Sequence, residues 1–352
     1  MNICIIGGSG FIGSYLINLL KQNHHLLNID KVPAASQENM SYALCDITNI
    51  VTLRSVIPDT TDFIVLLAAE HKDDVFPTSK YYDVNVEGTK NVLSVMEEKK
   101  IKKIIFTSSV SVYGLNKENP NEDSPTDPFN HYGKSKLQAE NCLRSWYESN
   151  RDERQLIILR PTVVFGPGNR GNVYNLLTQI SSGRFMMIGN GNNTKSMAYV
   201  ENVAGFIAHC INADLKSYHI FNYIDKPDLS TKQLVSIAQK AIGKTIFPTK
   251  IPYWFGYSFA SFFDVVFKVI GKKNPISAIR IKKFCATTQF ESVKTEALQF
   301  SAPFSLEKGL DITIKSIVEE NKVRVKTCPD LQNGTVRAMR LIFSPTFKKA
   351  ER

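Results

Sequence analysis

The chain reads as an α/β protein, a doubly wound parallel sheet with a smaller, discontinuous C-terminal lobe. Three observations predict this. A short apolar run, Asn2-Ile3-Cys4-Ile5-Ile6, empties into Gly7-Gly8-Ser9-Gly10-Phe11-Ile12-Gly13 and continues as a helical pattern. Apolar runs of strand length recur over 63–69 and 104–107, with a helical segment over 82–96 between them. Strands alternating with helices pair in parallel. At 352 residues the chain is also long enough for one large domain and a second, smaller lobe.

The first strand, its glycines and the helix that follows form the context in which a glycine motif carries meaning. Gly7 permits a tight turn, Gly10 lets the backbone approach a pyrophosphate, and Gly13 lets helix pack on strand. The helix start at Phe11 and Ile12 then offers free N–H groups to phosphate. A second run, Leu26-Leu27-Asn28-Ile29, ends at Asp30, whose carboxylate suits the ribose hydroxyls of adenosine and repels a 2′-phosphate. NAD is therefore expected over NADP, although Lys31 beside it argues mildly the other way. Asp46 and Ile47 are placed to hold adenine, and Asn85 falls on the first turns of the 82–96 helix as a further cofactor contact.

The strand ending at Thr107 delivers Ser108-Ser109-Val110-Ser111-Val112-Tyr113-Gly114. Further on, Asn130-His131-Tyr132-Gly133-Lys134-Ser135-Lys136 sets a phenol and an ammonium four residues apart, on one helix face. The cation can lower the phenol's pKa far enough for proton exchange near neutral pH. Joined to a dinucleotide fingerprint, this pair points to hydride chemistry at an alcohol carbon.

At this point the chain resembles the extended short-chain dehydrogenases/reductases, the NAD-dependent nucleotide-sugar epimerase and dehydratase family with its Rossmann sheet. The resemblance rests on Gly7-x-x-Gly10-x-x-Gly13, Asp30, Asp46-Ile47, Ser109 ahead of Val112-Tyr113-Gly114, Tyr132-x-x-x-Lys136 and Leu159-Arg160-Pro161. It implies that Tyr132 is the base and that Lys136 depresses its pKa and holds the nicotinamide ribose. Ser109 would bond the reacting oxygen. It also implies a homodimer built on two helices, for which 82–96 and 134–147 are the segments. Family dehydratases carry an acidic pair where this chain has Val110 and Ser111. The resemblance therefore implies 4-epimerisation: oxidation at C4 by a tightly held NAD, turnover of the keto sugar, and reduction on its other face.

The expected boundaries are 1–165 for the cofactor domain, with a return near 196–224, and 166–195 with 225–320 for the substrate-binding lobe. A basic tail covers 321–352. Asn172 and Asn175, with Arg170 nearby, are candidate sugar or phosphate contacts. Lys195 and Lys282 fall where the family's diphosphate arginines are expected, so phosphate would meet point charges rather than bidentate forks. The segment 253–273 is aromatic; Ser258, Ser261, Asp264, Lys268 and Lys272 fall within an arc of roughly 120° at 100° per residue. Its charges leave too short an apolar stretch to span a bilayer. With the basic flank Lys268, Lys272, Lys273, Arg280, Lys282 and Lys283, it suits an anionic membrane interface, a packed core helix or a dimer contact.

Three further segments, Leu66–Val75, Tyr81–Val86 and Lys283–Phe290, resemble a narrower group: bacterial O-antigen enzymes that epimerise N-acetylglucosamine on undecaprenyl diphosphate. That resemblance, which reaches to about residue 310, implies a polyprenyl-diphosphate sugar as substrate in lipopolysaccharide biosynthesis. It also implies a peripheral place on the cytoplasmic face of the inner membrane. A soluble UDP-sugar 4-epimerase, a 4-keto-sugar reductase and a non-catalytic NAD sensor remain as alternatives.

The formal charge of +10 favours an anionic partner. With no arginine-rich recognition helix and no zinc-finger spacing, nucleic acid is not the expected one. No metal site is expected. The six cysteines are scattered without a Cys-x-x-Cys pair, the pattern of reduced packing thiols in a cytosolic protein. The chain opens directly on a strand, so no signal peptide is expected.

Overall fold

A computed structural model describes residues 1–33, 40–72, 75–115, 117–183, 185–213, 215–246, 248–269 and 278–327. Lys272, Lys273 and the tail from 328 lie outside the described residues, as do the side chains of Lys268, Arg280 and Lys283. In chain order the strands are β1 (Asn2–Ile6), β2 (His25–Asp30), β3 (Met40–Leu44), β4 (Phe63–Leu66), β5 (Lys103–Thr107) and β6 (Gln155–Pro161). Then come β7 (Val163–Phe165), β8 (Met186–Ile188), β9 (Thr194–Tyr199), β10 (Tyr218–Tyr223), β11 (Asp225–Ser230) and β12 (Thr249–Ile251). The helices are α1 (Phe11–Leu20), α2 (Ile50–Val56), α3 (Ser79–Tyr82), α4 (Gly88–Glu98), α5 (His131–Glu148) and α6 (Asn172–Ser181). They continue with α7 (Val200–Asn212), α8 (Thr231–Ile242), α9 (Tyr253–Val269), α10 (Ala278–Cys285), α11 (Val293–Glu296) and α12 (Leu306–Thr327).

The chain divides into two units. The first comprises Met1–Asn169, Ser196–Asp228 and Gln289–Leu306. Its seven-stranded sheet runs β10-β6-β5-β4-β1-β2-β3, every pair parallel. Alternating side chains feed two cores, as period-two strands buried on both faces must. Cys4, Ile6, Ile64 and Ile104 pack under α2, α4 and α5, against Leu53, Val92, Met96 and Leu143. Ile3, Ile5, Val65 and Ile105 pack on α1 and α7, against Leu16, Ile17, Val203 and Phe206. Strand order reverses between β1 and β4, so the crevice for a ligand opens at their carboxyl ends.

The return of 289–306 to this unit was not read from the sequence. It is held by polar pairs far apart in the chain: Phe290 N–H on Ser196 Oγ at 3.0 Å, and Asn222 Nδ2 on the Glu291 carbonyl at 2.8 Å. Aromatic contacts of Phe300 with Phe206 and of Phe304 with Tyr199 complete it.

The second unit takes Arg170–Lys195, Leu229–Thr288 and the chain from Glu307. It pairs β8 with β12, α6 with α8, and α9 with α10. Here α9 departs from the polar arc expected of it. Asp264 accepts from the Ala278 N–H at 2.8 Å, capping α10, while Trp254 and Phe262 face outward beside Ser258. The crossover over 82–96 differs too. It is not one regular helix, since a π-turn over Asp83–Glu87 separates α3 from α4. That extra residue turns Asn85 into the protein.

Candidate active site

The turn after β1 is built for close approach. Gly7 has φ +88°, and a Cβ there would lie 2.5 Å from the Ala68 backbone nitrogen, beyond β4. At Gly13 a Cβ would lie 2.5 Å from the Gly8 Cα, so only glycine lets α1 sit against the turn. Gly10 caps α1 with extended backbone, no side-chain cap and no acidic residue in the first turn. Phe11 and Ile12 thus open a helix whose positive end is left for an anion. Asp30, at the end of β2, accepts from the Ser9 N–H at 3.0 Å and the Val32 N–H at 3.0 Å, which fixes its carboxylate beside the glycine turn. Asn28 donates to Ser9 Oγ at 3.1 Å, while its own Oδ1 is buried with no hydrogen-bond partner in the structure. Glycine cradle, uncapped helix start and oriented carboxylate fit a dinucleotide, pyrophosphate on α1 and ribose on Asp30.

Asp46 accepts from both the N–H and the hydroxyl of Thr48, at 2.9 and 2.8 Å. Burial alone would raise its carboxyl, but these two bonds and the charge of Lys31 leave it below the usual carboxylate range. Ile47 sits against Gly88 of α4, where a Cβ would meet its Cγ1 at 2.2 Å. The Asn85 side chain makes three bonds to protein groups. Its Oδ1 accepts from the Glu70 N–H at 2.8 Å, and its Nδ2 donates to the Glu70 carbonyl at 3.1 Å and to Ser135 Oγ at 2.9 Å. It ties the segment after β4 to α5.

Ser109 stands in extended backbone at the end of β5 and caps a 3-10 turn, Val110–Tyr113. Its Oγ accepts from the Ser111 N–H at 3.2 Å and the Ser111 hydroxyl at 2.8 Å. A hydroxyl has two acceptor positions and one donor. With both acceptors filled, the Ser109 O–H is what remains to be offered to a ligand. Helix α5 begins at an Asn130 cap, Oδ1 to the Gly133 N–H at 2.8 Å. A Cβ on Gly133 would lie 2.6 Å from the Ser111 carbonyl oxygen. That contact clamps the start of α5 against the turn bearing Ser109, and so brings the Tyr132 and Ser109 segments together.

Tyr132 is half-buried on the first turn of α5, its ring 6.5 Å from that of Tyr81. Lys136, one turn on, is buried with its Nζ 4.3 Å from the centre of the Phe106 ring. Burial pushes its ammonium down to about 7, against the opposing pull of Glu140. Glu140, a further turn along and wholly buried, accepts bidentately from Arg160 at 2.9 and 2.5 Å. Arg160 also donates to Tyr113 Oη at 2.9 Å, which donates to Asn222 Oδ1 at 2.8 Å. Sequence reading passed over Glu140 and the Ser111 hydroxyl. The signal for Glu140 was present, since a carboxylate four residues after Lys136 must share its helix face.

Of the residues expected to meet substrate, Ser109 belongs to this cluster. Asn172 and Asn175 are exposed on the first turn of α6, and Lys282 is exposed on α10. Lys195 donates to the Ala286 carbonyl at 2.7 Å and to Thr288 Oγ1 at 3.0 Å, so its ammonium stitches β9 to the segment after α10. Arg170 pairs with Glu320 at 2.8 Å and with the Tyr174 hydroxyl. Among the described residues no cluster of histidine, cysteine or acidic side chains could hold a metal ion.

Comparison with known proteins places this geometry. A family model, the NAD dependent epimerase/dehydratase family, matches residues 3–223. An N-acetyl-alpha-D-glucosaminyl-diphospho-ditrans,octacis-undecaprenol 4-epimerase of Escherichia coli O157:H7 is 49% identical over 89% of this chain and 94% of its own length. A UDP-glucose 4-epimerase of Vibrio cholerae is 25% identical over 91% of this chain and 96% of its own. Among solved structures, a UDP-glucuronic acid 4-epimerase of Bacillus cereus in complex with NAD shares the fold. Its TM-score is 0.72 at 22% identity, over 91% of this chain and 99% of that one. The family match runs from β1 to β10, across the glycine turn, Ser109, Tyr132 and Lys136; the chain belongs to the NAD dependent epimerase/dehydratase family.

Proposed function

We propose that the chain is an NAD-dependent 4-epimerase that interconverts N-acetylglucosamine and N-acetylgalactosamine carried on undecaprenyl diphosphate. The observation that carries this is the 49% identity to the Escherichia coli O157:H7 enzyme over 94% of that enzyme's length. The cluster of Ser109, Tyr132 and Lys136 supplies the chemistry. Val110 and Ser111, beside Ser109, offer no carboxylate for dehydration.

NAD, when bound, would supply the hydride acceptor and donor for the two faces of C4. Gly7, Gly10, Gly13, Phe11 and Ile12 would hold its pyrophosphate, Asp30 its adenosine ribose, and Asp46 with Ile47 its adenine. Tyr132 takes the proton of the C4 hydroxyl and gives it back after the keto sugar has turned over. Lys136, as ammonium, stabilises the Tyr132 phenolate. Ser109 donates its remaining O–H to the oxygen on which carbonyl character develops. Asn172, Asn175, Lys195 and Lys282 are the candidate substrate contacts. Lys195, already bonded to Ala286 and Thr288, is suited to a shared rather than a sole phosphate contact.

A lipid-linked substrate calls for a peripheral protein at an anionic membrane surface, on the cytoplasmic face of the inner membrane, in O-antigen and lipopolysaccharide assembly. Net charge of +10 supports this. No helix among the described residues is long and apolar enough to cross a membrane.

Two readouts test the reaction. Tyr132→Phe should keep NAD affinity while turnover falls by roughly 10²–10⁴-fold. Wild-type conversion should consume no cofactor. A requirement for stoichiometric reduced cofactor would replace epimerisation by net reduction of a keto sugar.

A further inference from the structure

Helix α9 reverses the usual burial pattern of a surface helix. Its inward side is small: Ala260 is 0% exposed, and a Cβ on Gly256 would lie 3.2 Å from Ile188 Cγ2. Its outward side is large and aromatic, with Trp254 69% and Phe262 64% exposed and Phe255 and Phe259 about half exposed. At 100° per residue, Trp254, Phe255, Ser258, Phe259 and Phe262 fall within an arc of roughly 140°. A helix folding only for its own core would place these rings inward. The rings also support one another. Phe255 and Phe259 stack at 6.3 Å, and Trp254 meets Phe255 edge-on at 5.8 Å, so the face is formed before anything covers it.

We infer that this outward face of α9 is a docking surface for an anionic bilayer, seating the helix flat in the membrane interface. The inference rests on the lipid-linked substrate proposed above. Charge favours lipid over a second copy of the chain or another protein. Asp264, the one acid on α9, points away from the face to cap α10, while Lys250 before the helix and Lys282 on α10 are exposed. Exposed Trp254, with Tyr253 and Tyr257 beside it and phenylalanines around it, gives α9 the aromatic composition of a bilayer's interfacial zone. With Asp264 and Lys268 in its sequence, α9 lacks an apolar stretch long enough to span and suits an in-plane helix.

The chain holds its own reporter. It has two tryptophans, and Trp146 is buried in the core of the first unit. Full-length protein with NAD is mixed with vesicles of phosphatidylcholine and phosphatidylglycerol, some carrying brominated acyl chains. Trp254 emission should shift to the blue and be quenched by the brominated lipid. Trp254→Ser with Phe262→Ser should lower vesicle partition about tenfold or more, with NAD affinity and the unfolding curve unchanged. Pure phosphatidylcholine should bind more weakly than the anionic mixture. Unquenched Trp254, or variant partition equal to wild type, overturns the inference. So does a variant that dissociates into monomers while still binding vesicles, since the face would then join two copies. Wild-type turnover of the lipid-linked sugar in detergent is measured separately. Its absence removes the substrate reading, while vesicle docking by α9 is judged on the quenching alone.

Discussion

Replacing Lys136 by methionine removes a buried cation while keeping most of its stem, and the thioether can rest on the Phe106 ring that the ammonium now faces. Glu140 is not orphaned, because Arg160 holds both its oxygens. The ammonium titrates near 7 in the folded chain, mainly through burial, and near 10.4 when unfolded. The folded value is the lower one, so the charge opposes folding. That cost is fully present below about pH 7 and fades as pH rises toward the unfolded value. From the separation of the two values it amounts to about 5 kcal/mol near pH 6 and about 1–2 kcal/mol near pH 9.5. Lys136→Met should therefore be inactive yet more stable than the parent near pH 6, without NAD. The gain should shrink by about 3 kcal/mol near pH 9.5. Urea denaturation at the two pH values, followed by circular dichroism, measures it. A gain independent of pH, or a loss near pH 6, would refute the argument that Lys136 is held charged against its surroundings.

Two other perturbations follow from the same cluster. Ser111→Ala removes the hydroxyl donor to Ser109 but keeps the N–H donor, so kcat should fall about threefold to tenfold with KM little changed. Ser111→Thr should restore it, and an unchanged kcat in the alanine variant would show that Ser109 needs no such partner. Glu140→Gln leaves the buried Arg160 guanidinium without its counter-charge and should cost about 3–5 kcal/mol in urea denaturation. The double change Glu140→Leu with Arg160→Met should recover most of that loss, and strict additivity of the two single changes would deny their coupling.

The parts of the molecule legible in the sequence are those governed by short-range spacing. Tyr132 and Lys136 meet because four residues make one helical turn, and Gly7 and Gly13 are needed where backbone approaches backbone. Parallel pairing followed from strands separated by helices. What escaped was set by contacts between distant segments. The Ser111 hydroxyl reaches Ser109 only because a 3-10 turn follows β5, and Gly133 matters only because the Ser111 carbonyl lies against it. Asn85 was read on a regular helix, but it lies in a π-turn with its side chain bonded to Glu70 and Ser135. The bonds of Lys195 to Ala286 and Thr288, more than ninety residues away, lay equally beyond short-range reading. On α9 the hydrophobic pattern was visible, but which side packs was decided by Gly256 and Ala260 fitting against the unit's own strands and helix.

The central claim concerns the substrate, and a paired turnover assay tests it most directly. Purified protein with NAD is given N-acetylglucosaminyl-diphospho-undecaprenol in detergent in one arm and UDP-N-acetylglucosamine in the other, and the 4-epimer is measured in each. Conversion of the lipid-linked sugar with none of the nucleotide sugar is the predicted result. Conversion of UDP-N-acetylglucosamine alone would contradict the account and leave a nucleotide-sugar epimerase with the same Tyr132, Lys136 and Ser109 chemistry.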